Sequence, residues 1–383
     1  MRKWASRLGF VLFLVLFCEF FLQGFYRFST GEFLWKRSAI PSYAPDPDSG
    51  WRAKPSMSYR HTTNEFSVDL FTNKEGFRVS SAHEEYAVEK DPKTYRILLL
   101  GPSFAFGWAV NFEDTFAKLL RDDLEKAGYA DGRPIEMINR GVPALPPANN
   151  LAWFKKVGKT YSPDLVIQFV YGSMAVDNRF VADNKVDEDG YLVRANVSTG
   201  TKMKAKLKNS ALVFYGWMVQ QAMASRSPEK IEGSGRELKS VEAFDPASPT
   251  VKDSMAFYDD LNQAVTATGA KLLVVYFPLA YGVHKEDIER WRHQGVRDVA
   301  GQIAFDDAFS KYLNSQGITT LDLTGELTKA AETTGKRLYY KIDVHWTPEG
   351  NQVAERCVAD YLLGKTRTPE PTAAVAPSAM PPQ

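Results

Sequence analysis

Three residues of this chain have the types and surroundings that nucleophile-and-base chemistry needs. Ser103 follows a short apolar run, Ile97 to Leu100, that stops at Gly101 and turns on Pro102 just before the pattern becomes helical. A serine at the C-terminal end of a buried parallel strand, with a helix starting behind it, stands where open α/β sheets place their ligands. Gly101 is expected to let the backbone turn sharply, and a helix N-terminus offers unpaired N–H groups to a developing negative charge. Taken alone, the same stretch also reads as an ordinary strand-to-helix turn with a capping serine. Far downstream, Lys341 to Gly350 (KIDVHWTPEG) brings Asp343 and His345 together shortly before a final helix. A hydroxyl is a poor nucleophile at neutral pH and needs a base. His345 is the candidate, with Asp343 to hold its ring and stabilise the imidazolium. The alternative is that Asp343 caps a turn and His345 lies on the surface.

These residues need a scaffold, and the pattern supplies one. From residue 95 strand and helix signals alternate, which argues for a parallel sheet. The sequence predicts strands near Arg96–Leu100, Ile135–Asn139, Asp164–Val170, Lys271–Phe277 and Thr319–Leu323. Helices are expected near Glu113–Ala127, Pro147–Tyr161, Val251–Thr268, Val299–Ser315 and Pro348–Leu363. Five such strands suit a flavodoxin-like order with the site at its switch point. Before them, residues 51–92 read as a small β meander turning near Lys74-Glu75-Gly76. Residues 29–50 read as a linker, because PSYAPDPDSG is too rich in proline and glycine for an element. Residues 180–249 interrupt the rhythm with a polar stretch, a helix around Asn209–Ala224 and a Ser/Pro/Gly-rich loop. An insertion of this length is either a lid or substrate platform or a disordered excursion. The Pro/Ala-rich tail from Thr366 should be disordered.

The blocks around these residues resemble those of a known superfamily. GPSFAFGWAV is similar to the first block of the SGNH (GDSL-type) hydrolases, NRGVP at Asn139 to Pro143 to their glycine block, and DVHWTPEG to their terminal Asp-x-His block. The three occur in family order across roughly residues 93–364. The D-x-H-W loop also resembles the O-acetyltransferases that decorate exopolysaccharides such as alginate. This resemblance implies a three-layer, doubly wound α/β fold and a serine acyl-ester hydrolase or O-acyltransferase. Its substrate would be an acylated or acetylated envelope glycan or exopolysaccharide, or a small ester. TNKEGFR resembles a segment that precedes the catalytic domain in membrane-anchored bacterial members, where a packing hairpin is its expected role. The pattern differs from the G-x-S-x-G elbow of the α/β-hydrolases, since Ala105 stands where the second glycine would be.

By the same resemblance, the oxyanion donors are the backbone N–H groups of Ser103 and Gly141, with Gly141 in a turn, and a third donor at Ser173. Two departures bear on this assignment. The family's aspartate before the serine is Pro102 here, and the asparagine of its donor block is Ser173 within Tyr171-Gly172-Ser173-Met174. Either Ser173 donates less well, or Asn149 or Asn178 reaches in, or the site is impaired. A catalytically lapsed binding or scaffold protein on the same fold is therefore the rival reading. Trp346 is expected to pack behind the histidine loop.

Composition sets outer bounds. With 383 residues, 44% of them apolar, the chain can bury a large core, and its formal charge of +1 gives no reason to expect nucleic acid as a partner. Cys18 and Cys357 lie in segments that make a disulfide unexpected. His61, His83, His284 and His293 lack spaced metal-ligating partners, so neither a metal nor a cofactor is expected. Leu8 to Tyr26 is almost wholly apolar, interrupted by Glu19 and Gln23, and follows Arg2, Lys3 and Arg7. It shows no A-x-A cleavage site, and Phe17 precedes Cys18 where a lipoprotein signal needs a small residue. A retained anchor contacting membrane lipid is expected, N-terminus inside, although Arg27, Lys36 and Arg37 flank the other end; a buried core helix is the alternative. The expected organisation is an anchor (1–28), a linker and small β extension (29–92), an SGNH-like domain (93–365) holding the insertion 180–249, and a tail (366–383). That places a single-pass protein in a bacterial inner membrane with its catalytic domain in the periplasm.

Overall fold

The computed structural model describes residues 2–30, 33–34, 40–63, 65–176, 184–194, 207, 210–224, 243–287, 298–341 and 343–365. Its strands, in chain order, are β1 Tyr43–Asp46, β2 Gly50–Ala53, β3 Ser58–Thr62, β4 Ser67–Thr72, β5 Arg78–Val79, β6 Tyr95–Gly101, β7 Ile135–Gly141, β8 Leu165–Tyr171, β9 Asn184–Val186, β10 Leu192–Arg194, β11 Lys271–Phe277 and β12 Thr320–Asp322. Every residue of β6 is buried. Side chains alternate across a strand, so Ile97 and Leu99 join one core while Leu98 and Leu100 join another. The first core is closed by the helices Phe116–Lys126, Thr324–Thr334 and Pro348–Leu362, the second by Pro147–Lys156, Pro249–Thr266 and Val299–Ser315. Burial on both faces is why this parallel strand reads as a continuous apolar run.

The main sheet has the order β12-β11-β8-β6-β7-β5-β4-β3. Its first five strands are parallel and are the five predicted ones, in the flavodoxin-like arrangement. The order reverses between β8 and β6, so the switch point falls where Ser103 leaves the sheet.

Two expectations about the extension need correction. The meander does not stand beside a five-stranded sheet: β5, β4 and β3 continue that sheet antiparallel from β7, making eight strands. And the stretch read as linker contains an element, because β1 pairs with β2 as an antiparallel hairpin that carries Pro45. An edge strand tolerates proline. The hairpin turn is held by the Asp46 carboxylate, which accepts from the Asp48 and Ser49 amides at 2.9 and 2.7 Å. Trp51, fully buried, then packs on Val142 and Leu145.

Arg78, the arginine of TNKEGFR, fastens the extension to the segment that follows Ser103. Its buried guanidinium donates to the carbonyls of Asp69 and Val79 at 3.0 Å and of Val110 at 3.4 Å, and lies 5.6 Å from the Phe106 ring. Burial pushes it down to about 9; the carbonyls supply what water no longer can. Phe66, Val68 and Leu70 pack with Phe106 and Ala109 in a core of their own.

The helix Thr324–Thr334 was not predicted; only Leu327 and Ala331 of it are buried, too thin a stripe to read. The N-terminal helix Arg2–Thr30 holds a 23-residue segment, Ser6–Phe28, long and apolar enough to cross a membrane and almost wholly exposed. Of the insertion, the described residues include the hairpin β9–β10 and the helix Ala211–Ala224. The expected tail 366–383 lies outside the described residues, as does Asn178.

Candidate active site

Ser103 opens the four-residue helix Ser103–Phe106 immediately beyond β6. It does not cap that helix: Pro102 occupies the N-cap position, and no side-chain cap bond is made there. The capping-serine alternative therefore has no counterpart in the structure. Gly107, in the left-handed conformation, ends the helix after one turn. Gly101 is needed for space rather than for a turn. A Cβ there would stand 2.7 Å from Phe169 Cβ and 2.9 Å from Ala105 Cβ.

The Asp343–His345 loop meets this serine from the far end of the chain. His345 Nε2 lies 2.6 Å from Ser103 Oγ, and its Nδ1 is hydrogen-bonded to Asp343 Oδ1. The same Asp343 oxygen accepts from the His345 amide at 2.9 Å. Burial, the largest single influence, pushes the Asp343 carboxyl up, but the hydrogen bonds from His345 together with the nearby imidazole charges hold the group below the ordinary carboxylate value. The imidazole packs against Phe104, ring centres 4.9 Å apart. Trp346 is 1% exposed and fills the space behind, with its ring 4.5 Å from Phe277 and 5.1 Å from Phe104.

Two residues that the sequence reading did not assign complete the setting. Glu65, in the turn between β3 and β4, accepts from the Lys341 amide at 2.7 Å and from the Asp343 amide at 2.6 Å. The antiparallel extension thus holds the Asp343–His345 loop by its backbone. Nothing in a sequence links positions 278 residues apart. His61 on β3 packs between Phe66 and Trp108 at 5.1 and 5.2 Å, near enough to Asp343 and His345 to feel both charges. Burial is the main reason its imidazole sits below the ordinary value. Replacing Glu65 by alanine should lower kcat on an acetyl ester by roughly 10²-fold, since a displacement of about 1 Å costs that much. Glu65→Gln keeps an acceptor and should recover part of the loss. Equal kcat for Glu65→Ala and wild type would remove Glu65 from the positioning scheme.

The expected oxyanion donors fare differently. Gly141 is the last residue of β7, not part of a turn, and its N–H already donates to Asn139 Oδ1 at 2.9 Å. The glycine is there because the serine helix presses on it: a Cβ would stand 2.2 Å from Phe106 N and 2.6 Å from Ala105 C. Asn139, within the quoted NRGVP but given no role, also donates to Ala105 O at 2.7 Å, so this strand end braces the serine helix. Gly141→Ala is expected to destabilise the fold by about 1–3 kcal/mol or more, because backbone rather than a flexible side chain must move. Thermal unfolding measures it; an unshifted midpoint would contradict the packing. Asn149 is buried in the helix Pro147–Lys156 and donates to Ser49 O at 2.9 Å. Ser173 lies in the short helix Gly172–Val176 that follows β8. Among the described residues, no group of three or more His, Cys, Asp or Glu could hold a metal ion.

Residues 239–380 match the family model described as the SGNH hydrolase-like domain of the acetyltransferase AlgX. That part of the chain resembles an SGNH hydrolase-like domain. The matched stretch holds Asp343 and His345, while Ser103 precedes it. Over 142 residues the chain is 25% identical to the probable alginate O-acetylase AlgJ of Pseudomonas fluorescens, covering 36% of this chain and 34% of that protein. The chain thus spans about a third of that relative's length. Among solved structures, the acetyl xylan esterase AlAXEase is similar at a TM-score of 0.39 and 14% identity, covering 71% of this chain and 100% of that one. A GDSL-like lipase from Bacteroides thetaiotaomicron is similar at 0.37 and 12%, covering 73% and 93%.

Proposed function

We propose that this chain is a membrane-anchored serine O-acetyltransferase or acyl esterase acting on acetyl esters of a polysaccharide. The observation that carries the proposal is the Ser103–His345–Asp343 relay, with 2.6 Å between Ser103 Oγ and His345 Nε2 and Asp343 bonded to the opposite ring nitrogen. His345 takes the hydroxyl proton as Oγ attacks the acyl carbonyl, and Asp343, ionised, stabilises the imidazolium. His345 then returns the proton to the leaving oxygen, and an acetyl ester remains on Ser103. A second attack, relayed through the same histidine, frees the serine: water gives hydrolysis, and a sugar hydroxyl gives transfer. The acetyltransferase named in the matching family and the alginate O-acetylase among the relatives support transfer to a polysaccharide.

In this scheme the negative charge on the attacked oxygen is met by the Ser103 N–H, at the start of its helix, and by a donor from Gly172–Ser173 beyond the neighbouring strand. The Gly141 N–H, held by Asn139, is left out. The apolar segment Ser6–Phe28 anchors the protein, with the domain of residues 93–365 on the periplasmic side of a bacterial inner membrane. The commitment of Gly141 favours a second reading, in which the site is short of oxyanion donors and has lapsed into binding. A fluorophosphonate probe separates the two. Covalent labelling of Ser103, lost in His345→Ala, is expected of the enzyme; a folded protein that takes up no label would leave the binding reading.

A further inference from the structure

Glu19 stands inside the apolar segment Ser6–Phe28, where a carboxylate is costly unless it is paired. It is paired with the start of another helix. Its oxygens accept from Ser210 Oγ at 2.7 Å, from the Ala211 amide at 2.8 Å and from the Leu212 amide at 3.0 Å, and Gln23 Nε2 donates to it at 2.8 Å. These are the N-terminal N–H groups of the helix Ala211–Ala224, which otherwise lack partners. Further along, Tyr215 packs on Phe25 at 6.0 Å and Phe214 on Tyr26 at 5.7 Å. All the contacted residues of the first helix lie within its apolar segment Ser6–Phe28, so the second helix lies beside that segment.

We propose that the helix Ala211–Ala224 is buried in the lipid of the same membrane, docked on the anchor by Glu19. Its sequence, ALVFYGWMVQQAMA, has no charged residue and, apart from Gln220 and Gln221, is apolar all round, which suits lipid rather than a water interface. Val213 and Val219 are 41% and 58% exposed on the protein, so their surroundings lie outside the chain. The occupant is lipid rather than a second protein because the exposed surface continues that of the anchor, whose apolar side chains are equally uncovered. The helix has 14 residues, roughly 21 Å at 1.5 Å per residue. A bilayer core is about 30 Å thick, so the helix enters without crossing. The consequence is that the insertion ties the domain to the membrane at a second point. The inference stands apart from the catalytic reading.

The test uses the full chain with Cys18→Ser and Cys357→Ala, carrying one nitroxide at Val219→Cys, in phosphatidylcholine–phosphatidylglycerol vesicles. Oxygen, which concentrates in lipid, and a water-soluble nickel chelate are compared as relaxing agents. Leu16→Cys on the anchor and Val88→Cys on the domain are the lipid and water references. The label at position 219 is expected to follow the lipid reference. Following the water reference overturns the proposal, and protection from both agents overturns it in favour of a protein neighbour or second copy. Glu19→Leu should lower the oxygen-to-nickel ratio at position 219 several-fold. An unchanged ratio would refute the docking role of Glu19.

Discussion

Ser103→Ala is expected to bring acetyl-ester turnover down to the buffer rate, a loss of roughly 10⁴-fold or more. The size follows from the scheme, since Ser103 Oγ is the atom that attacks and lies 2.6 Å from the His345 Nε2 that takes its proton. The fold should not notice. The side chain is half-buried, does not cap its helix, and its hydroxyl bonds to His345 rather than to the core. Unfolding midpoints of variant and wild type should coincide, and p-nitrophenyl acetate hydrolysis reads the rate. A variant that keeps its rate would take Ser103 out of the mechanism whatever its geometry.

Asp343→Asn is expected to lower kcat by about 10⁴-fold, the cost of letting a catalytic histidine lose its orienting carboxylate. Asparagine keeps the size but removes the negative charge that the imidazolium needs. The pH dependence carries a separate sign. Burial raises the Asp343 carboxyl, but the hydrogen bonds from His345 and the nearby imidazole charges together hold it below its ordinary value in the folded protein. Its contribution to stability is therefore complete above the ordinary carboxylate range and is lost as pH falls through the lower folded value. Acid unfolding of Asp343→Asn should accordingly begin from a lower stability and depend less steeply on pH in that range. An acid transition unchanged in slope would mean that Asp343 is not held in this way.

The meeting of Ser103, His345 and Asp343 was legible because each of them sits in a local pattern. Ser103 ends an apolar run that only a buried parallel strand explains, and Asp343 and His345 share one short loop before a helix with proline at its start. The five parallel strands were legible for the same reason: burial on both faces leaves a run of apolar residues. What failed was whatever depends on distant pairing. Glu65 holds the loop of Asp343 through backbone amides, an arrangement that leaves no trace in the loop's own side chains. The extension of the sheet past β7 rests on a single residue pair, Arg78 with Asn139. Gly141 is a position where a family pattern and the local packing point to different tasks. A family pattern assigned it a donor's task, whereas the serine helix at its back requires the missing side chain and Asn139 takes its N–H. Glu19 and Gln23, which looked like flaws in a spanning helix, take their partners from the second helix and from the Leu34 amide at 2.9 Å.

The central claim is that an acetyl group passes through Ser103. The direct measurement is to mix the full-length protein with p-nitrophenyl acetate, quench in acid within the first turnovers, and map acetyl groups by peptide mass spectrometry. Acetylation is expected on the hydroxyl of Ser103, chased off by water or by an added polysaccharide and absent in Ser103→Ala. Turnover that proceeds with Ser103 never acetylated would contradict the account.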